Sequence, residues 1–163
     1  MLLNIRPAHD SDFEDIWKIF HSVVQRSDTY AYEIESTREQ VSSIWMSKAV
    51  RTYVACIDGG RIAGTYILKP NQQGPGAHVA NAGYMVSDEY SGRGIGKAIC
   101  AHSLDEARSL GFEAMQFNSV VSTNHAAIHL WQKMGFSIVG TVPRAFRHRE
   151  FGLVDIYVMH RFL

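Results

Sequence analysis

"EYSGRGIGKA", residues 89–98, places three glycines around an arginine and ahead of a lysine. An apolar strand pattern precedes this stretch and an apolar helical pattern follows it, which predicts a turn from a strand into a helix. Glycine lets the backbone approach a ligand closely, and the first turn of a helix offers unpaired N–H groups and a positive dipole to an anion. The stretch therefore predicts a phosphate-binding loop.

Two common phosphate-loop motifs do not fit this stretch. A P-loop requires glycine where Ser91 stands and serine or threonine where Ala98 stands. The dinucleotide-binding motif requires a third glycine three residues after Gly94, and that position is Lys97. The loop is thus neither a magnesium-nucleotide site nor a dinucleotide site by its spacing.

The composition predicts one domain over residues 1–163. Lys and Arg together number 16, as do Asp and Glu, so no basic surface points to a nucleic acid or a membrane. The first ten residues do not resemble a signal peptide and no apolar run is long enough to cross a membrane, which predicts a cytoplasmic protein. Cys56 and Cys100 lie among apolar residues and are expected to be buried and reduced.

Hydrophobic periodicity predicts a mixed order of strands and helices, and hence an α+β fold with one mixed sheet covered on both faces. A capping box over residues 36–39 is expected to open the second helix, and Asp58-Gly59-Gly60 to form a tight hairpin turn. The predicted strands cover residues 2–6, 51–57, 61–68, 78–86, 112–120, 136–142 and 152–160, and the predicted helices cover 10–25, 36–48, 94–110 and 124–134.

A second motif lies downstream, in "NSVVSTNHAAIHLWQKMGFSIVG" at residues 118–140. It fits the pattern N-x-x-A-x-x-L-Y-x-x-x-G-F, and residues 91–96 fit R/Q-x-x-G-x-G/A with Ser91 in the first position. In this order the two motifs resemble those of the GNAT-type N-acetyltransferase superfamily. The second motif uses Asn124, Ala127, Leu130, Trp131, Gly135 and Phe136.

The resemblance implies a GNAT-like sheet of six to seven mostly antiparallel strands and acetyl-coenzyme A as cosubstrate. It also implies that the loop holds the cosubstrate pyrophosphate and that no metal takes part. The cofactor-binding residues carried over are Met85, Val86, Ser91, Gly92, Arg93, Gly94, Ile95, Gly96, Lys97, Ala98, Asn124 and Trp131.

Trp131 departs from the superfamily pattern, in which many members have a tyrosine that protonates the leaving thiolate. An indole N–H donates a hydrogen bond but does not ionise usefully, so Trp131 cannot serve as that acid. Two roles stay open: a wall of the pantetheine tunnel, or a core aromatic that packs with Ile128.

Two branches of the superfamily are close to this chain. Residues 29–45 resemble the segment between the helices of phosphinothricin-type acetyltransferases, although Asn81 stands where those enzymes have a glutamate. The L-azetidine-2-carboxylate acetyltransferases share the asparagines. That branch implies that Asn81 binds the substrate carboxylate and that Asn118 and Asn124 act at the reacting groups.

Strand alternation supports the same site independently, because it puts Asn81, Gly83 and Met85 on one face of the strand that leads into the loop. An amide can donate to a carboxylate without adding a second charge. His125 and His129 have zinc-like spacing but no third ligand is evident, so surface histidines are expected. Residues 144–150, "RAFRHRE", are expected to form a solvated loop that offers a contact for the substrate carboxylate.

Together these observations predict an N-acetyltransferase that transfers an acetyl group directly to the amine of a small, carboxylated acceptor. With no carboxylate or histidine base evident, an asparagine-held water is expected to remove the amine proton, and a backbone N–H near Met85 or Val86 to stabilise the oxyanion. The alternatives are a catalytically weak coenzyme A sensor and an acetyltransferase for polyamines or protein N-termini. A homodimer stays open.

Overall fold

The computed structural model describes residues 2–163 and shows a seven-stranded mixed sheet with helices on both faces, which confirms the predicted α+β fold. The strands are β1 Leu3–Pro7, β2 Arg51–Ile57, β3 Arg61–Pro70, β4 Val79–Val86, β5 Ala114–Val121, β6 Ser137–His148 and β7 Gly152–Phe162. The helices are α1 Phe13–Gln25, α2 Arg38–Trp45, α3 Ile95–Ser109 and α4 His125–Lys133.

The centre of the sheet contains one parallel pair of strands that soon separates. The strand order is β1-β2-β3-β4-β5-β7-β6, and every neighbouring pair is antiparallel except β4 and β5. These two strands pair only at Val79 with Ala114 and at Ala80 with Met115. Beyond these pairs β4 and β5 separate, which leaves a cleft in the middle of the sheet.

Each face of the sheet buries its own apolar core. On one face, α3 and α4 pack on alternate strand residues such as Tyr66 and Tyr84. On the other face, α1 and α2 pack on the intervening residues, such as Ile67 and Met85. Each large apolar side chain that is buried in this way stabilises the fold by about 1.5–3 kcal/mol, so the two cores hold the separated strands in place.

The second helix differs from its prediction at both ends. The N-cap is Thr37: its hydroxyl accepts from the Gln40 N–H at 3.3 Å, and its N–H donates to Gln40 Oε1 at 2.8 Å. The capping box therefore begins one residue later than predicted. The helix ends at Trp45, which is fully buried, so the prediction that it continues to Lys48 is wrong.

The prediction of a solvated loop over residues 144–150 is wrong for residues 144–148, which belong to a strand, and holds for the exposed turn at residues 149–150. Strand β6 continues through His148, with an irregular register between Val142 and Phe146 and a left-handed φ of 53° at Arg144. After this irregularity Phe146 and His148 are buried and the residues between and beside them are exposed. Local alternation is thus what keeps the segment in the sheet.

Candidate functional site

A cavity of about 710 Å³ follows the cleft between β4 and β5 and is lined by residues from both faces of the sheet. Leu130 of α4 lines it on the α3 and α4 face, and Tyr30, in the loop between α1 and α2, lines it on the opposite face. Of the predicted site residues, Arg93 and Ala98 do not line the cavity. Those that do are Asn81, Met85, Val86, Ser91, Gly92, Gly94, Ile95, Gly96, Lys97, Asn118, Asn124 and Trp131.

The glycine-rich loop ends in a cluster of free backbone donors. Gly92 and Gly94 have φ of 74° and 82°, a region that favours glycine, and Gly94 is the N-cap of α3. Within residues 2–163 no group accepts a hydrogen bond from the N–H of Ile95, Gly96 or Lys97. The N–H of Ala98 instead donates to Gly94 O at 3.1 Å, so the run of free donors stops before Ala98.

Gly96 leaves room for a ligand rather than for the protein. A Cβ placed on Gly96 would lie 3.6 Å from Leu130 Cδ2 and 3.9 Å from Val86 Cγ2, which are ordinary van der Waals distances. The protein itself therefore does not require glycine at this position. Such a cradle, with three free N–H groups beside it, fits a pyrophosphate that approaches the backbone closely.

The register of β3 and β4 determines which backbone groups face the cleft. Ser87 N–H donates to Ala63 O at 2.9 Å, so the odd-numbered residues of this strand end pair with β3. By the same alternation the backbone groups of Met85 face β3, and those of Tyr84 and Val86 face the cleft. Of the two backbone N–H groups expected near the reacting carbonyl, the one that faces the cleft is that of Val86.

Tyr30 occupies the neighbouring backbone groups of β4. Its hydroxyl donates to Tyr84 O at 2.6 Å and accepts from Tyr84 N–H at 2.9 Å. Burial raises the pKa of Tyr30 well above its ordinary value, so the hydroxyl stays protonated and can donate. Tyr30 thereby fastens the loop between α1 and α2 to the edge of the cleft.

Trp131 closes the other side of the cavity. Its ring lies 5.0 Å from the rings of both Tyr84 and Phe117, measured between centroids, and it packs half-buried against the core. The side chain therefore both lines the cavity and packs against the core, so its core role is confirmed and its role as a wall of the pantetheine tunnel stays a prediction.

The asparagines on β4 and β5 belong to a chain of hydrogen-bonded amides. Asn81 Nδ2 donates to Gln116 O at 2.9 Å, Gln116 Nε2 donates to Asn118 Oδ1 at 2.9 Å, and Asn118 Nδ2 donates to Asn71 Oδ1 at 2.7 Å. Asn118 is thus bound through its oxygen and one of its two N–H groups, whereas Asn81 keeps one N–H and its oxygen. The bond from Asn81 lies directly after the last β4–β5 pair and closes that end of the cleft.

Asn124 is the N-cap of α4. Its Oδ1 accepts from Ala127 N–H at 3.2 Å, which leaves Nδ2 without a partner among residues 2–163. The cap fixes the side-chain oxygen of Asn124. The side chain lies on the cavity wall with its amide nitrogen free. Asn124 can therefore cap the helix and contact a ligand at the same time.

Few charged groups line the cavity. Asp88 is its only carboxylate among residues 2–163, and it pairs with Arg26 and accepts from Ser22 Oγ at 2.5 Å. The remaining charges are Lys69 and Lys97. These residues therefore offer no free carboxylate that could act as a base.

Both cysteines are buried and free, as predicted. Burial raises the pKa of Cys100 to about 12, so its thiol is protonated at neutral pH and is a poor nucleophile. His125 and His129 are exposed on α4, and residues 2–163 contain no group of three His, Cys, Asp or Glu side chains placed to hold a metal ion. Over the same residues no helix is long and apolar enough to cross a membrane.

Sequence reasoning missed Thr29, Tyr30 and Lys69, all of which line the cavity. A signal for Lys69 was present, because it follows Ile67 by two residues on β3 and shares its face of the sheet. Thr29 and Tyr30 lie outside regular structure, so no periodicity could place them, and the resemblance of residues 29–45 to the phosphinothricin-type segment was the only signal there.

Comparison with known proteins places this geometry in a family. The model of the Acetyltransferase (GNAT) family matches residues 13–136. The L-amino acid N-acetyltransferase AaaT of Escherichia coli is 28% identical over 159 residues, which cover 96% of each chain.

Solved structures agree with the sequence match. A GCN5-related N-acetyltransferase from Kribbella flavida is 46% identical, with a TM-score of 0.96 over 99% of this chain and 98% of that one. A phosphinothricin acetyltransferase from Sinorhizobium meliloti, solved in complex with AcCoA, is 20% identical, with a TM-score of 0.88 over 100% of this chain and 89% of that one. At this lower identity the likeness extends to the fold alone.

We expect Gly96→Val to weaken the binding of coenzyme A at least about tenfold, or about 1.4 kcal/mol, because the added side chain fills the cradle. Titration calorimetry measures the effect. Ala101→Val is the control, since it introduces the same side chain into the same helix outside the cavity. Unchanged affinity in a folded Gly96→Val protein would show that the loop does not hold the cosubstrate.

Trp131→Phe should retain most of the kcat for acetyl transfer, because an indole has no proton to give at neutral pH and phenylalanine preserves an aromatic wall. Steady-state kinetics test this, with Trp131→Ala as the comparison that removes the wall and should lower the melting temperature. If Trp131→Phe lost about three orders of magnitude in kcat at unchanged KM, the indole would act in the transition state.

Proposed function

Because the chain belongs to the GNAT acetyltransferase family, we propose that it transfers the acetyl group of acetyl-coenzyme A directly to the amine of a small, carboxylated acceptor. The observation that carries this proposal is the cavity between the separated strands. It connects the free backbone donors at the start of α3 to a chamber on the α1 and α2 face, which is lined by Asn81 and Asn118. One ligand can thus enter from each side of the sheet and meet the other in the cleft.

Acetyl-coenzyme A supplies an acetyl group that is activated as a thioester. In this proposal the N–H groups of Ile95, Gly96 and Lys97 hold its pyrophosphate, and the ammonium of Lys97 adds a positive charge there. The predicted contact with Arg93 has less support, because its guanidinium lies over the ring of Tyr90, 5.4 Å from the centroid, and lies outside the cavity lining.

The reacting groups would be positioned by donors that the fold leaves free. Val86 N–H faces the cleft and stabilises the negative charge that develops on the carbonyl oxygen, with help from Asn124 Nδ2. Preorganised donors of this kind need no reorganisation during the reaction. Direct attack by the amine is favoured over a covalent route, since the buried Cys100 thiol stays protonated.

Removal of the amine proton is assigned to a water held by amides, which passes the proton to solvent; the C–S bond breaks as the amide forms, and the coenzyme A thiolate that leaves takes its proton from solvent. Asp88 is engaged by Arg26 and Ser22, so it is not available as a base. Asn81 Oδ1 can accept from such a water, and the bound amides of Asn118 would hold the chamber wall in place. Asn118 thereby acts in the proposal as a positioning residue that also keeps one free Nδ2 N–H.

Charge in the cavity favours an anionic acceptor over a cationic one. With Arg26 and Asp88 paired to each other and Lys97 assigned to the cosubstrate pyrophosphate, Lys69 leaves one positive charge for the acceptor. A polyamine would be repelled by this charge, whereas a carboxylate would be attracted. The curated relative that acts on L-amino acids by its name supports the same class of acceptor.

The proposal is tested by thiol release from acetyl-coenzyme A with amino acids, proline analogues and polyamines as acceptors. We expect steady turnover with at least one small carboxylated amine and slower turnover with polyamines of similar size. Tight binding of coenzyme A without turnover of any amine would instead identify a sensor.

Asn81 variants test the assignment of its remaining N–H to the acceptor carboxylate. On a small carboxylated amine we expect kcat/KM to fall from wild type to Asn81→Ala and further to Asn81→Glu, because the new carboxylate repels that of the acceptor. On an uncharged amine of similar size Asn81→Glu should not be the slowest.

Two outcomes would contradict this role of Asn81. Equal losses on both acceptors together with a lower melting temperature would mean that the bond to Gln116 O is its only task. If Asn81→Glu acetylated the carboxylated amine faster than wild type, the residue at this position would act as a base.

A further inference from the structure

We propose that the ammonium group of Lys69 binds the carboxylate of the acceptor and so selects amino-acid-like amines over uncharged and cationic ones. The inference rests on the proposed function and assigns its specificity to one side chain. Asn81 alone could offer the carboxylate only one neutral donor, whereas Lys69 adds a positive charge.

Lys69 stands directly beside Asn81 in the sheet. The two residues are paired across β3 and β4, which puts their Cβ atoms about 5.5 Å apart on one face. That face is the one covered by α1 and α2, because Ile67, two residues earlier on β3, packs in their core. The stem of Lys69 therefore emerges at the closed end of the cleft, on the acceptor side.

Every other charge that lines the cavity has a different task. Arg26 and Asp88 are bound to each other. Lys97 lies beyond the opposite end of β4. The strand from Asn81 to Val86 is already roughly 17 Å long, at about 3.3 Å per residue, so Lys97 lies far from Asn81. Lys69 makes no ion pair and no side-chain hydrogen bond with any of residues 2–163, so its ammonium is uncommitted.

The neutral donors of the chamber are mostly engaged as well. Tyr30 donates to Tyr84 O, and Asn118 gives one of its two N–H groups to Asn71. Thr29 also lines the cavity, but its Oγ1 is buried away from the cavity surface and has no hydrogen-bond partner. A buried hydroxyl without a partner costs stability unless a ligand or water satisfies it.

An arriving carboxylate would thus find one ammonium and one free amide N–H each from Asn81 and Asn118. A hydrogen bond between two charged groups is roughly twice as strong as a neutral one, so Lys69 would dominate this set. The four-carbon stem of lysine lets the ammonium reach along the cleft and follow acceptors of different size. Selectivity would then depend on the charge of the acceptor more than on its shape.

Lys69→Met tests this assignment because it keeps the length of the side chain and removes the charge. We compare a carboxylated amine with its carboxamide and follow both turnover and equilibrium binding of the acceptor. The KM for the carboxylated amine should rise about tenfold or more with kcat little changed, whereas the carboxamide should lose about threefold at most. Lys69→Arg should recover a large part of the affinity for the carboxylate.

Lys133→Met is the matched control, since Lys133 is exposed on α4 and does not line the cavity. Equal effects of Lys69→Met on the carboxylated amine and its carboxamide, or no effect on either, would overturn the assignment. If wild type bound the carboxylated amine in a manner that depends on Lys69 but acetylated no amine, the proposed function would fail and the binding role of Lys69 would stand.

Discussion

The separation of β4 from β5 is the constraint on which the rest of this structure depends. After two pairs the strands diverge, and each exposes a row of backbone donors and acceptors at the centre of a sheet. Such groups are costly when they are buried without partners. The protein satisfies some of them itself, through Tyr30 at Tyr84 and through Asn81 at Gln116 O, and leaves others, including Val86 N–H, to face the cavity.

This arrangement explains why residues from four distant parts of the chain meet at one site. The cleft is open to both faces of the sheet, so the start of α3 can hold one ligand while the loop between α1 and α2 encloses another. Trp131 fills the α4 side without the need for an acidic hydroxyl there. The side-chain amides that line the chamber also close the end of the cleft. The shape of the site therefore depends on where β4 and β5 stop pairing.

Local patterns predicted much of the fold and part of the site. Apolar periodicity located every helix and strand, and it failed where the ends depend on contacts. The carbonyl of Trp45, where α2 ends, accepts from the hydroxyl of Thr52, and the buried Phe146 and His148 continue β6 after an irregular register. The glycine loop and the asparagines were found from motifs and alternation. Thr29 and Tyr30 were missed because their segment has neither helical nor strand periodicity.

By itself the sequence determined the family motifs, the glycine-rich turn into α3 and the face of β4 on which Asn81, Gly83 and Met85 lie, because each depends on neighbours within a few residues. Only the tertiary structure decided which polar groups remain free. Asn81 donates one N–H to a residue 35 positions away, and the hydroxyl of Tyr30 donates to a residue 54 positions away. Hydrogen bonds are satisfied between groups that meet in space, so the donors left for a ligand are known only once the chain has folded.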